Sequence, residues 1–213
     1  MFNIKLIFCF FIFLLLLDYS NAQDSTSINN IPVKNWGIGT QFGISYPLLM
    51  GKSDDLISNE LGYFIGVEAD FRNVFAKFNI AWLDSKVENS FLISEEWPKN
   101  LPLDALQLLY SVGYKINIFE NFYLNPMLSY MMLVYHSDDR VEEFTNISRN
   151  TDLNYYGFSI GMSYNFISHS PIFKYTALEI SVGFYEPFNS KKKIIFPSNA
   201  LNLSSGIIFY LNN

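Results

Sequence analysis

The stretch Leu61–Asp84 constrains this chain more than any other. Leu61, Tyr63, Ile65, Val67, Ala69 and Phe71 alternate with Gly62, Phe64, Gly66, Glu68 and Asp70. After Arg72-Asn73, the residues Val74, Ala76, Phe78, Ile80 and Trp82 alternate with Phe75, Lys77, Asn79, Ala81 and Leu83. Side chains two apart on a strand share a face, so each half is a strand with one wholly apolar face. A two-residue turn pairs Phe71 with Val74. The same register then sets Ala69 against Ala76, Val67 against Phe78, Ile65 against Ile80 and Tyr63 against Trp82. On the other face it sets Glu68 opposite Lys77. Two faces agreeing in one register predict a hairpin with an apolar face and a mixed one.

The same alternation recurs along the chain. It predicts strands over about 35–46, 104–116, 122–135, 152–166, 172–185 and 200–211, eight with the central hairpin. Pro126 interrupts the fifth, where a bulge or a broken hydrogen bond is expected. Short turns join strands two and three, four and five, six and seven. Longer, polar connections fill about 47–60, 85–103, 136–151 and 186–199. Short turns on one side and long loops on the other belong to an all-β, eight-stranded antiparallel up-and-down transmembrane β-barrel. That arrangement puts both termini at the short-turn, periplasmic side.

The first residues carry an export signal. Lys5 precedes the apolar run Leu6–Leu17, and Ser20-Asn21-Ala22 supplies small residues for cleavage before Gln23. Residues 1–22 read as a signal peptide, 23–34 as a flexible periplasmic leader and 35–213 as the barrel domain. The apolar run is too short for a membrane helix, and no later stretch is long and apolar enough. The sole cysteine, Cys9, lies inside the signal, so the mature chain has no thiol for disulfides or metal. No cofactor is expected. A net charge of −6 gives no footing for nucleic acid.

The faces indicate which side meets lipid. The mixed faces hold Gly, Ser and Ala and few charges, too few to keep an outer wall soluble. Aromatic residues gather near both ends of the apolar faces: Tyr46, Tyr63, Trp82 and Tyr156 toward the long loops, Trp36, Tyr114 and Tyr164 toward the short turns. Two aromatic girdles around an aliphatic band mark a membrane wall. A soluble, lipocalin-like carrier is the alternative that turns the same barrel inside out.

Ser204, Gly206, Phe209 and Leu211 add a sharper motif: a polar residue, Gly two later, then aromatic and apolar residues at alternate positions. With the strand pattern, the mature chain after the leader resembles the small outer-membrane barrels of Gram-negative bacteria, the OmpA/OmpX-like and PorT-like proteins. The resemblance implies an outer-membrane address, a lipid and lipopolysaccharide environment, and a C-terminal signal read by the barrel-assembly machinery. Asn212-Asn213 follow here, where many members end on an aromatic residue. The resemblance implies no single activity.

Several residues bear chemistry. Glu68 and Lys77 form an expected lumen ion pair, and parity places Lys115 and Glu179 in the same network. Such a network fills a narrow lumen and fixes register; the functional reading is an ion path. His136, Ser137 and Glu142 supply a base, a nucleophile and a carboxylate for an enzyme that modifies lipid A, by hydrolysis or acyl transfer. The plain reading is a solvated loop. Asp54, Asp55, Glu95, Glu96, Asp138, Asp139, Glu142 and Glu143 make the loops acidic, suited to solvent or to cations bridging lipopolysaccharide, in no calcium-loop spacing. Lys191–Lys193 suits lipid phosphates or a solvated tip. The expected function is non-enzymatic: an envelope or surface-interaction protein presenting four extracellular loops around a plugged polar lumen. Its alternatives are a lipid-modifying enzyme, a narrow porin-like channel and the lipocalin-like carrier.

Overall fold

The computed structural model describes residues 36–92, 96–141, 145–167, 173–188 and 199–211. The expected signal peptide and leader, Glu95, Glu142, Glu143 and Lys191–Lys193 lie outside them.

Eight long strands run antiparallel: β1 (Trp36–Leu49), β2 (Gly62–Phe71), β3 (Val74–Val87), β4 (Pro102–Tyr114), β5 (Phe122–Val141), β6 (Thr145–Ile167), β7 (Phe173–Pro187) and β8 (Ala200–Leu211). Each pairs with its neighbours in sequence, and β1 pairs with β8, closing the sheet. Closure leaves no unpaired edge in the wall. The central hairpin has the expected register, Phe71 with Val74 through Tyr63 with Trp82, and Glu68 with Lys77. Its turn holds Arg72 at φ 56°.

The registers fix the strand tilt. One row runs from Phe122 through Tyr164, Leu178, Ile207, Phe42, Ile65, Ile80 and Leu108. It returns to β5 at Met132, ten residues above its start. For eight strands that stagger gives a tilt of about 40°. A barrel this narrow has room for side chains and little else.

The strands run higher than the alternation indicated. Within the expected loop His136–Thr151, the described residues 136–141 and 145–151 instead continue β5 and β6, paired from Asn150–His136 up to Thr145–Val141. Cross-strand bonds carry the ladder through polar residues that signal a loop in sequence. β1 likewise continues through Pro47, which stands opposite Asn202, and β3 reaches Val87. The connection after β1 holds a short helical turn, Gly51–Ser53, and the strand Ile57–Asn59, which pairs with Ser85–Val87. The next connection contains a small hairpin, Phe91–Leu92 with Glu96–Trp97.

Pro126 breaks the ladder without bulging it. β4 pairs with β5 as far as Gly113–Met127, and pairing resumes at Ile116–Leu124 in the same register. The fourth strand therefore ends at Tyr114 rather than at Ile116. Lys115, in the gap, sends its backbone N–H to the carbonyl of Asn73 at 2.7 Å.

Candidate functional site: the lumen and the outer wall

The lumen has two halves of different chemistry. Toward the short turns lies the ion network. Lys77 Nζ is 2.9 Å from Glu68 and 2.5 Å from Glu179. Lys115 Nζ is 2.6 Å from Glu68 and 2.8 Å from Asp70. Tyr210 donates its hydroxyl proton to Glu68 and receives a bond from Lys115. Gln41 Nε2 reaches Glu68, and Asn125 Nδ2 donates to Glu179 and to Ser163. Both ammonium groups also lie over the buried ring of Phe75, at 4.7 and 5.4 Å.

This connected network draws a side chain from each of β1, β2, β3, β5, β6, β7 and β8, and from Lys115 at the end of β4. Glu68 is its hub, with no solvent exposure. A carboxylate buried there is tolerable because donors from four residues surround it. The four expected members, Glu68, Lys77, Lys115 and Glu179, come together. Asp70, Tyr210, Gln41, Asn125 and Ser163 complete the set. Inward parity was their only signal in the sequence, and it names no partner across a barrel.

A polar layer sits at mid-height. Ser129 bonds Ser111 and Ser159, Ser181 bonds Ser204, and Ser45, Gln107 and Asn202 bond one another. Glycines make room here: Gly43 stands opposite Gly206, and the ring of Phe64 covers both.

Toward the long loops the interior is mainly apolar, where a polar lumen is expected, with Asn59, Ser85, Ser137 and Thr151 as buried polar residues among it. Leu83, Met131, Leu133, Tyr135, Leu153, Tyr155 and Tyr185 form one buried cluster with Trp97 and Leu101 from the connection above β3. Asn59 anchors it, accepting from Ser85 and Tyr135 and donating to the carbonyl of Pro47. The loops thus fold their own apolar residues onto the mouth. Just outside, the Ser58 hydroxyl (2.7 Å) and the Lys86 ammonium (3.2 Å) hold Glu88 below the ordinary carboxylate range.

The outer wall is the reverse of a soluble surface. Phe42, Tyr63, Ile65, Val67, Val112 and Ile180 are all exposed, Tyr63 to 73%. Of the expected girdle, Tyr63, Trp82, Tyr156 and Tyr164 are exposed and Tyr46 is half-buried. Tyr114 departs from it. Only 5% of its surface is exposed, at the ladder gap opposite Pro126, and its hydroxyl accepts from Asn73. The side chain of Trp36 lies outside the described set.

An apolar wall around a closed, eight-stranded sheet decides the architecture. The chain has the fold of a small outer-membrane β-barrel. A major outer membrane protein of Thermus thermophilus matches at TM-score 0.50 and 10% identity, over 82% of this chain and 98% of that one. Neisserial surface protein A matches at TM-score 0.47 and 11% identity, over 81% and 96%. Ail, the attachment invasion locus protein of Yersinia pestis, solved with the heparin analogue sucrose octasulfate, matches at TM-score 0.42 and 12% identity, over 82% and 98%. No protein-family model and no curated protein matches the chain.

Of the candidate catalytic residues, Glu142 lies outside the described residues, and the strand holds His136 and Ser137 apart. His136 and Ser137 are consecutive on β5 and point to opposite faces, Ser137 being buried. His136 Nδ1 is 2.6 Å from Asn150 Oδ1 on β6. Among the described residues no three His, Cys, Asp or Glu side chains are grouped to hold a metal. On β8, Ser204 and Gly206 turn toward the lumen side and Leu211 toward the exposed face; Phe209 pairs in register with Thr40 and Thr176.

Proposed function

We propose that this protein is a non-enzymatic integral protein of a bacterial outer membrane, with a closed lumen, both termini in the periplasm and its long connections outside. The exposed apolar wall carries this reading. Side chains such as Phe42, Val67 and Ile180 face outward around the barrel, and only hydrocarbon compensates such a surface. The filled lumen supports a structural or surface-interaction role over solute passage. Its apolar end offers no wet path and its charged end is internally paired. The β8 motif, Ser204, Gly206, Phe209 and Leu211, supports delivery by the barrel-assembly machinery, and lipopolysaccharide is the surrounding lipid. The opposed directions of His136 and Ser137 favour this reading over lipid A modification.

Fractionated cells and gel migration, unheated against boiled, test it. A boiling-dependent shift in the outer-membrane fraction is expected. A soluble periplasmic protein without a shift refutes it and leaves the lipocalin-like alternative. In the same strain, His136→Ala leaves the lipid A mass profile unchanged; an altered profile restores the enzyme.

A further inference from the structure

Between the ion network and the apolar end lies a cavity of about 20 Å³. Gln41, Lys77, Asn79, Ser111, Ser159 and Glu179 contribute to its lining. One water requires about 10–15 Å³ on this measure, together with two to four polar partners. The cavity therefore suits one. Asn79 Oδ1 is buried and accepts no hydrogen bond from the protein. The amide lies over Gly66, its cross-strand partner, where a Cβ would collide with it. A buried acceptor left without a donor costs about 1–3 kcal/mol. The Lys77 ammonium and the Glu179 carboxylate of the same lining are paired with each other at 2.5 Å, which leaves a small neutral molecule, water, as the fitting occupant.

The two ends of the lumen differ as exits. Met131, Leu133 and Tyr135 are wholly buried toward the long loops. In the ion network the side chains of Lys115, Glu179 and Asp70 keep 14, 12 and 10% exposure. From these observations we infer that the cavity holds one ordered water bonded to Asn79 Oδ1, and that this water exchanges with bulk only through the ion-paired end. The lumen is then a hydrated dead end. The exchange route rests on the closed lumen proposed above; the water site does not.

The probe is water itself, on the full mature protein refolded in phosphocholine micelles. Water-to-amide Overhauser transfer to the Asn79 side chain is expected, with a sign reporting residence beyond about a nanosecond. Magnetic relaxation dispersion of the water oxygen then gives the residence time, with Asn79→Leu as the variant that removes the contribution. Glu179→Gln shortens residence by about tenfold or more, because opening breaks one charge-assisted bond fewer. Leu133→Ala leaves it unchanged. Absence of transfer to Asn79 overturns the water site and leaves the closed lumen standing. Shortening by Leu133→Ala but not by Glu179→Gln overturns the exit. A sub-nanosecond residence in the wild type overturns the closed lumen itself. The transfer experiment needs no variant, so a failure of Asn79→Leu to refold does not protect the proposal.

Discussion

Replacing Lys77 by Met removes the ammonium that joins the two halves of the ion network. Met has similar length and keeps contact with Phe75, so the loss is mainly of charge. Lys77 sits 2.9 Å from Glu68 and 2.5 Å from Glu179, with 4% of its side chain exposed. In the wild type, three carboxylates (Glu68, Asp70, Glu179) face two ammonium groups. In Lys77→Met they face one. Glu68 keeps Lys115, Tyr210 and Gln41, whereas Glu179 keeps the Asn125 amide. Breaking a buried pair this way costs about 3–5 kcal/mol, because a charge is left in a site of low polarity. Glu179→Gln balances the network at two against two and costs about 1 kcal/mol, the value of a lost hydrogen bond. In the double variant, about 1–3 kcal/mol of the Lys77→Met loss returns, since the stranded carboxylate is gone. Urea unfolding of protein refolded in lipid vesicles, followed by tryptophan fluorescence, measures all three. A Lys77→Met loss below about 1 kcal/mol, or strict additivity in the double variant, refutes the argument that this network carries charge-paired stability.

Three further outcomes follow from particular residues. Gly43→Ala places a Cβ about 2.6 Å from both Gly206 Cα and the Phe64 ring and closer still to the Ser205 carbonyl, so backbone must shift; a loss of about 1–3 kcal/mol and a reduced folded band on unheated gels are expected. Val67→Arg sets a charge in the lipid-facing band and costs about 2–4 kcal/mol in vesicle unfolding, whereas Asp84→Arg near the long-loop rim costs about 0–1 kcal/mol. Glu88 titrates below the ordinary carboxylate range, so its contribution to stability is present above that range and disappears as pH falls through its lowered value. Ser58→Ala removes the largest cause, and carbon NMR of the labelled carboxyl is expected to record an upward shift.

The alternation of Leu61–Asp84 is enough to specify a hairpin, its register and the Glu68–Lys77 pairing, because side-chain parity and a two-residue turn leave no freedom. Eight such segments, with short and long connections in turn, specify an antiparallel barrel. Three features needed the closed structure. The height of β5 and β6 was hidden because His136–Thr151 is polar and reads as loop; ladder bonds between the two strands override that composition. Tyr114 has the parity of a lipid-facing residue, yet beside the Pro126 gap it is buried, with its hydroxyl accepting from Asn73 of the turn. The lumen divides into charged and apolar halves because tilt and stagger decide which inward residues share a level. Parity says that Asp70, Lys115 and Tyr210 face inward; only a closed barrel with a ten-residue stagger brings Lys115 and Tyr210 to Glu68, and Lys115 to Asp70 beside it, since residues on non-adjacent strands meet solely through the curvature of the wall.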